Sequence, residues 1–163
     1  MCEVMSPVVE LRLLTYRPAE MVAWWAALIG SPPRPLDTRA TAVTGPDLGV
    51  VIERSQIALD YHPEASGVTA VTLMPGDLEA VRPMVNRLAE LGSRPYRATC
   101  RADRTTLWFR DPNGTDVAVC LLSDPATGAG IAADGGRSEE VDPADVLARI
   151  GVGQPAGDHR KER

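Results

Sequence analysis

The stretch FRDPNGTDVAV, residues 109–119, contains the sharpest turn signal of the chain. Its DPNG core places Pro112, whose φ is fixed, shortly before Gly114, which readily adopts a positive φ. Apolar and polar residues alternate on both sides of the turn, as they do in half-buried strands. The stretch therefore predicts a β-hairpin with strands over about 105–110 and 116–121.

The sequence around this hairpin contains two copies of one pattern. The runs VVELRL, from residue 8, and AVTLMP, from residue 70, alternate like strands, and each leads into an amphipathic helical pattern that ends at Gly30 or Gly92. The strand starts and the two glycines are both 62 residues apart. A constant offset across two kinds of element predicts an internal repeat of a strand–helix–strands module.

Local signals define the two helices. Pro18 and Glu20 suit the first turn of the first helix, and Asp77 can cap the second. Pro83 lies inside the second helical pattern and is expected to kink it or to shift its start. Further strands are predicted over 40–43, 50–54 and 96–101.

Length and charge exclude several classes of protein. A chain of 163 residues suits one domain with a real core. Its net charge of -5 argues against nucleic-acid binding, which needs a basic surface. The longest apolar stretch, residues 21–29, is too short to span a bilayer, and the first residues do not read as a secretion signal. A cytoplasmic protein without a membrane partner is expected.

Cysteine and histidine usage limits metal chemistry. Cys2, Cys100 and Cys120 fit neither a disulfide framework nor a zinc spacing. His62 and His159 are the only imidazoles, and His159 lies in a polar C-terminal stretch. A site built on two His ligands is therefore strongly disfavoured.

Residues 123–163 differ in composition from the rest of the chain. They are rich in Gly and poor in large apolar side chains, which predicts a flexible low-complexity tail. One short helix near 142–150 is expected within it, because Asp142 can cap, Pro143 fits the first helical position and Gly151 can end it. We expect this helix to dock weakly or not at all.

The two strand–helix–strands modules, the second of which ends with FRDPNGTDVAV, resemble the vicinal oxygen chelate superfamily. This superfamily includes glyoxalase I, extradiol dioxygenases and bleomycin-resistance proteins. The stretch MVAWWAALIGS, residues 21–31, is similar to the family's first helix. The resemblance covers residues 8–122 and implies a glyoxalase-like domain over 1–122. Its fold would be α+β, with two βαβββ modules, 7–62 and 67–122, pairing into a curved mixed sheet around a cavity.

The resemblance also implies where metal ligands would lie. Metal-dependent members take one ligand from the first strand and one from the last strand of each module, usually His, Gln or Glu. The matching positions here are Val8, Glu53, Ala70 and Ala118. Only Glu53 can donate to a metal ion, and a divalent ion needs three or four donors. No metal and no cofactor are therefore expected. The alternative is that Glu10, Asp116 or Cys120, at neighbouring positions, supplies the missing metal donors.

The family pattern and the alternation of side chains along strands predict the lining of the cavity. Trp108 would face the cavity, whereas Leu107 and Phe109 would lie under the helices. A mostly apolar lining with one aromatic ring and a few charges is typical of a small-molecule site. The predicted ligand-binding residues are Glu10, Arg12, Glu53, Thr72, Met74, Trp108, Arg110 and Cys120.

Several of these residues also have a purely structural interpretation. Glu10 and Arg12 can pair across the sheet, and Glu53 can lie at a solvated strand end. Cys120 can be a small buried hydrophobe, and Trp108 can pack in the core. Trp24 and Trp25 are interpreted as core or interface residues, and His62 as part of a surface linker between the modules.

Three functions remain open. The first is a metal-independent protein of the bleomycin-resistance type that binds a small apolar or planar organic molecule, with a homodimer as one form implied by the resemblance. The second is a metal-free isomerase, lyase or cyclase with Glu10 or Glu53 as general base, or His62 as the only imidazole near the modules. The third is a partner-binding module without a small ligand.

Overall fold

The computed structural model describes residues 9–57, 68, 70–75, 77–123 and 138–152. Two successive βαβββ units and a short C-terminal unit make up this part of the chain. The first unit contains β1 (Val9–Thr15), α1 (Pro18–Ile29), β2 (Arg34–Pro35), β3 (Ala40–Thr44) and β4 (Leu48–Arg54). The second contains β5 (Ala70–Leu73), α2 (Leu78–Glu90), β6 (Arg97–Cys100), β7 (Arg104–Arg110) and β8 (Asp116–Leu122). They are followed by β9 (Glu139–Val141) and α3 (Pro143–Arg149).

The two units form sheets with the same strand order. The first sheet runs β1-β4-β3-β2 and the second β5-β8-β7-β6-β9. In each sheet the first strand of the unit pairs in parallel with its last strand, and the other pairs are antiparallel. The predicted α+β fold and its repeat are therefore confirmed. The two-residue strand β2 and the edge strand β9 were not predicted.

The ends of the helices follow the local sequence signals. α1 ends at Gly30, which adopts φ 77° and donates its N–H to the carbonyl of Ala26. Asp77 caps α2 by accepting the N–H of Ala80 at 2.9 Å. α2 extends as one helix from Leu78 to Glu90 and includes Pro83. It begins directly after the predicted cap Asp77, so Pro83 does not shift its start. No helix in the described ranges is long and apolar enough to cross a membrane.

One hydrophobic core lies between the helices and the sheets. Leu107 and Phe109 are fully buried in it, as the alternation along β7 predicts. Trp24 and Trp25 of α1 also belong to this core, which confirms their interpretation as core residues. α1 and α2 pack against each other, so both units contribute to the same buried volume.

The DPNG turn joins the two units at the end of β1. The Oδ1 atom of Asn113 accepts a 2.7 Å hydrogen bond from the hydroxyl of Thr15, and its Nδ2 donates to the carbonyl of Leu14 at 3.1 Å. Arg17 donates to the carbonyl of Pro112 at 3.1 Å. The turn between β7 and β8 therefore contributes to packing between the units as well as to its own hairpin.

The C-terminal helix is part of the core, and the expectation that it docks weakly or not at all is wrong. β9 pairs with the edge strand β6, and α3 follows directly, capped by Asp142 as predicted. Nε of Arg82 in α2 donates to the carbonyl of Ile150 at 2.8 Å. Polar residues surround a small apolar set in this part of the sequence, so the overall composition did not indicate that the set is buried. Its members pack in the core: Val146, Leu147, Ile150 and Val152. Residues 124–137 and 153–163 of the predicted tail lie outside the described residues.

Candidate functional site

Each sheet has one face toward the helices and one face away from them. On β7, Leu107 and Phe109 point to the core. Thr106 and Trp108, which alternate with them, point to the opposite face. On β8, Val117 and Val119 are core residues. We call the sheet face away from the helices the outer face.

A cavity of about 350 Å³ lies on the outer face of the second sheet. It is lined by residues of β5 to β8, by the loop between β6 and β7, and by the residue preceding β9. Its described lining therefore comes from the second module and the C-terminal unit, whereas a cavity shared by both modules was expected. The lining residues are Thr72, Arg97, Thr99, Arg101, Arg104, Thr106, Trp108, Ala118, Cys120 and Ser138.

Trp108 forms a fixed aromatic wall of this cavity. Its side chain is half-buried, and Nε1 donates a 3.2 Å hydrogen bond to Oγ1 of Thr99 on the adjacent strand β6. A held indole ring offers a flat apolar surface, on which a planar molecule can stack.

Cys120 and Ala118 line the cavity from β8. Cys120 is only 3% exposed, and its Sγ lies 3.4 Å from Oγ1 of Thr106. A cysteine nucleophile needs an adjacent base. The contact with Thr106 supplies none, and both histidines lie outside the described residues. Cys120 thus matches the small buried hydrophobe that the sequence also allowed.

Three arginines give the cavity a positive charge. Nη2 of Arg104 forms a 2.6 Å ion pair with Oδ2 of Asp103, and this hydrogen bond raises the pKa of Arg104 while lowering that of Asp103. Nε of Arg97 lies 3.8 Å from Oε1 of Glu140 in β9. Arg101 lies between them in sequence and completes the set. None of the described lining residues is acidic.

Glu10, Arg12 and Glu53 form a separate ion-pair cluster on the first sheet. Nε of Arg12 bonds Oε1 of Glu10, and Nη1 bonds Oε1 of Glu53, both at 2.9 Å. The hydrogen bond that Arg12 donates to Glu53 is the largest cause of the raised pKa of Arg12, followed by the charge of Glu10. The side chains of Arg12, Glu10 and Glu53 are 60%, 51% and 37% exposed. The pairing across the sheet that the sequence allowed is therefore present.

This cluster lacks the surroundings that the enzymatic hypothesis assumes. A carboxylate becomes an effective base near neutral pH when an apolar site raises its pKa. Glu10 is instead exposed and Glu53 half-buried, and the carboxylate of each is bonded to Arg12. The third candidate base, His62, lies outside the described residues.

Two further predicted ligand-binding residues lie away from the cavity. Nε of Arg110 pairs with Oδ1 of Asp116 at 3.2 Å, and its guanidinium lies 4.5 Å from the ring centroid of Tyr96. Met74 lines a different groove, together with Ile29. Of the predicted set, the structure brings Thr72, Trp108 and Cys120 together in one cavity.

The positions that correspond to metal ligands do not fit a metal ion. Ala70 and Ala118 offer only methyl groups, Glu53 is bonded to Arg12, and Val8 lies outside the described residues. Within the described ranges, no group of three His, Cys, Asp or Glu side chains is close enough to hold a metal. Divalent ions need three or four such donors.

The three arginines of the cavity lining were not among the predicted site residues. Arg97 and Thr99 lie two residues apart on β6 and share one strand face, and Arg104 shares the face of Thr106 and Trp108 on β7. Arg101 follows β6 in the loop and lines the same cavity. The alternation that identified Trp108 would have identified Arg104 if it had been continued to the start of β7. Ser138 could not be found this way, because its position depends on the pairing of β9 with β6.

Solved structures with the same fold include three bacterial proteins. A glyoxylase/bleomycin resistance protein/dioxygenase domain from a Frankia species has a TM-score of 0.59 at 14% identity and covers 72% of this chain and 98% of its own. A putative glyoxalase from Bacillus halodurans has a TM-score of 0.56 at 14% identity, covering 73% and 96%. A glyoxalase/bleomycin resistance protein/dioxygenase from Alicyclobacillus acidocaldarius has a TM-score of 0.56 at 12% identity, covering 78% and 99%.

These similarities establish the fold that the sequence motifs indicated. The chain has the fold of these glyoxalase and bleomycin-resistance structures. No protein-family model and no curated protein sequence matches the chain. Because one fold hosts many unrelated chemistries, function must be argued from the cavity itself.

Proposed function

We propose that the protein binds a small planar organic molecule in the cavity of its second module without using a metal ion. The observation that carries the proposal is the Trp108 ring, which forms one wall of a cavity of about 350 Å³ and is held by Thr99. A concave site with one aromatic wall and a few polar groups has the general build of small-molecule sites. The homodimer implied by the resemblance stays a prediction.

The composition of the lining supports binding rather than catalysis. Threonine hydroxyls and arginines can orient a ligand, but they are poor proton acceptors near neutral pH. The two candidate general bases predicted from the sequence lie on the other sheet. Glu10 and Glu53 are both bonded to Arg12 there. Metal-independent binding is supported by the methyl groups at Ala70 and Ala118.

A thermal-shift screen tests this function. A ligand that binds only the folded state raises the melting temperature by mass action. We expect planar aromatic compounds to stabilise the wild-type protein, equally before and after treatment with a chelator. The Trp108→Ala variant should lose this shift, whereas Tyr96→Ala, which removes an exposed aromatic side chain outside the lining, should keep it.

Two results would contradict the proposal. In the first, a broad panel of planar compounds produces no shift in the wild-type protein. In the second, the shift persists undiminished in Trp108→Ala, which would place the binding elsewhere.

A further inference from the structure

Building on the proposed function, we infer that the ligand is an organic anion. Its ring would stack on Trp108, and its carboxylate or phosphate group would bind the arginines on the same face, Arg97, Arg101 and Arg104. We call these three residues the arginine cluster.

The distribution of charge is the first argument. The chain carries a net charge of -5, so a surface chosen at random would be acidic. The cavity instead has three guanidinium groups among its ten lining residues and no described acidic one. All three guanidinium side chains line this one concave surface, so an anion bound there gains a favourable electrostatic interaction with each of them.

The geometry of the strands is the second argument. Arg97 and Arg101 flank Thr99, the residue that holds the Trp108 indole. Arg104 begins the strand on which Trp108 lies. Cationic and aromatic groups therefore line the same cavity on the outer face of the sheet, as the binding of a planar molecule with a charged substituent requires. Guanidinium groups bind carboxylate and phosphate oxygens through paired, charge-assisted hydrogen bonds.

The acidic neighbours of the cluster are the third argument. Asp103 and Glu140 pair with Arg104 and Arg97, but their own side chains are 55% and 72% exposed, and neither lines the cavity. Glu140 is opposite Thr99 in the β6–β9 pairing, so it projects on the outer face. Its 3.8 Å separation from Arg97 is longer than a hydrogen bond, and exposed pairs of this kind are weak. A ligand anion can therefore replace Glu140 as the partner of Arg97.

Calorimetric titration with three matched probes tests the inference. Naphthoate, its uncharged analogue naphthamide, and naphthyl phosphate share one ring system and differ in the substituent. We expect the better of the two anions to bind the wild-type protein at least about tenfold more tightly than the amide, as charge-assisted hydrogen bonds allow. The ratio between naphthoate and naphthyl phosphate distinguishes a carboxylate from a phosphate ligand.

Single substitutions locate the effect. Arg97→Gln and Arg101→Gln should each weaken binding of the preferred anion about tenfold and weaken binding of naphthamide by a much smaller factor. Arg94→Gln removes an exposed arginine outside the lining and should change neither affinity. Raising the salt concentration should weaken binding of the anion and leave binding of the amide unaffected, because salt screens charge interactions.

The outcomes separate this inference from the proposed function. Equal affinity for anions and amide, lost in Trp108→Ala, overturns the anion inference and leaves the proposed function standing. Anion binding that Arg94→Gln weakens as much as Arg97→Gln also overturns it, because the effect would then be one of net charge. If none of the three probes binds, both the inference and the proposed function fail for this class of ligand.

Discussion

The indole nitrogen of Trp108 lies 3.2 Å from the hydroxyl oxygen of Thr99, which is itself only 8% exposed. This bond holds the indole nitrogen against the neighbouring strand, and the Trp108 side chain lines the cavity. The orientation of the aromatic wall therefore depends on a second residue that does not itself stack on the ligand.

Replacing Thr99 by Val removes the acceptor and keeps the shape of the side chain. We expect Thr99→Val to cost about 1 kcal/mol of stability and to weaken ligand binding severalfold, because the indole N–H loses its partner. Thr41→Val, at a half-buried threonine of β3 on the first sheet, is the matched control and should leave binding unchanged. Calorimetric titration with naphthoate measures both variants, and wild-type affinity in Thr99→Val would contradict the role of this bond.

Glu140 competes with a ligand anion for Arg97, so removing its charge should improve anion binding. Glu140→Gln is expected to bind naphthoate severalfold more tightly than wild type at low salt, and to lose this advantage at high salt. Glu139 is one residue away and pairs opposite Cys100, so its side chain projects on the other face. Glu139→Gln therefore controls for net charge, and an equal gain in both variants would rule out a specific role for Glu140.

Arg87 of α2 caps the C-terminus of α1. Its Nε donates to the carbonyl of Ala27 at 2.5 Å and its Nη2 to that of Leu28 at 3.3 Å. These carbonyls lie in the last turn of the helix, where a cation also interacts favourably with the helix dipole. Arg87→Met should lower the free energy of unfolding by about 2 kcal/mol in a denaturant titration. An unchanged value would show that the cap contributes nothing.

Two glycines allow a cleaner test of the same contact. Gly30 and Gly92 end their helices with φ 77° and 76°, but a Cβ at Gly30 would lie 2.6 Å from Nη2 of Arg87, whereas a Cβ at Gly92 has open space. Both alanine variants should lose about 1 kcal/mol from the positive φ. Gly30→Ala should lose more, and in the Arg87→Met background this excess should disappear. An excess that persists without Arg87 would contradict the assignment.

Asp111 of the DPNG turn predicts a pH dependence of stability. It is 4% exposed, its Oδ1 accepts the N–H groups of Asn113 and Thr115, and its Oδ2 makes no hydrogen bond of good geometry. Burial raises the pKa of Asp111 above 3.8, although these N–H groups and the nearby indole N–H of Trp25 act in the opposite direction. The folded state therefore holds this proton at a higher pH than the unfolded state does.

The sign of the effect follows from that difference. The stabilising contribution of the protonated group is complete below pH 3.8 and is lost as the pH rises through the raised pKa. Asp111→Asn keeps an acceptor for the two backbone groups and does not titrate. Its stability relative to wild type, from denaturant titrations at a series of pH values, should increase across this window and then become constant. A flat or falling difference would be inconsistent with a raised pKa.

The packing of α3 predicts a large cost for truncating Ile150. This side chain is 4% exposed within the core, and Arg82 binds its carbonyl. Ile150→Ala should lower the free energy of unfolding by about 2 to 4 kcal/mol. Arg149→Ala, at an exposed position of the same helix, should change it by less than about 0.5 kcal/mol. Similar small effects at both positions would restore the view that this helix docks weakly.

The sequence predicted the fold because its signals are local and repeated. The DPNG turn, the capping residue Asp77 and the Gly30 helix end each specify backbone conformation within a few residues. The docking of α3 could not be predicted in this way. It depends on β9 finding the edge of β6 some forty residues earlier in the chain, and long-range pairing of that kind has no local pattern.

The site was predicted only in part for a related reason. Alternation along a strand gives the face of a side chain, and it placed Thr72, Trp108 and Cys120 correctly on the outer face. It does not say which outer-face residues surround the same cavity. Glu10 and Arg12 share their face with Glu53 and form a separate ion-pair cluster on the first sheet.

The most direct test of binding in the cavity is a two-dimensional ¹H–¹⁵N spectrum of the indole groups during titration with naphthoate. The chain has three tryptophans, so three indole signals are expected, and Trp108→Phe assigns one of them. We expect the Trp108 signal to move saturably, because its N–H is bonded to Thr99 at the cavity wall. The signals of Trp24, bonded to Ser93, and of the core residue Trp25 should stay in place. A stationary Trp108 signal, or equal movement of all three, would contradict it.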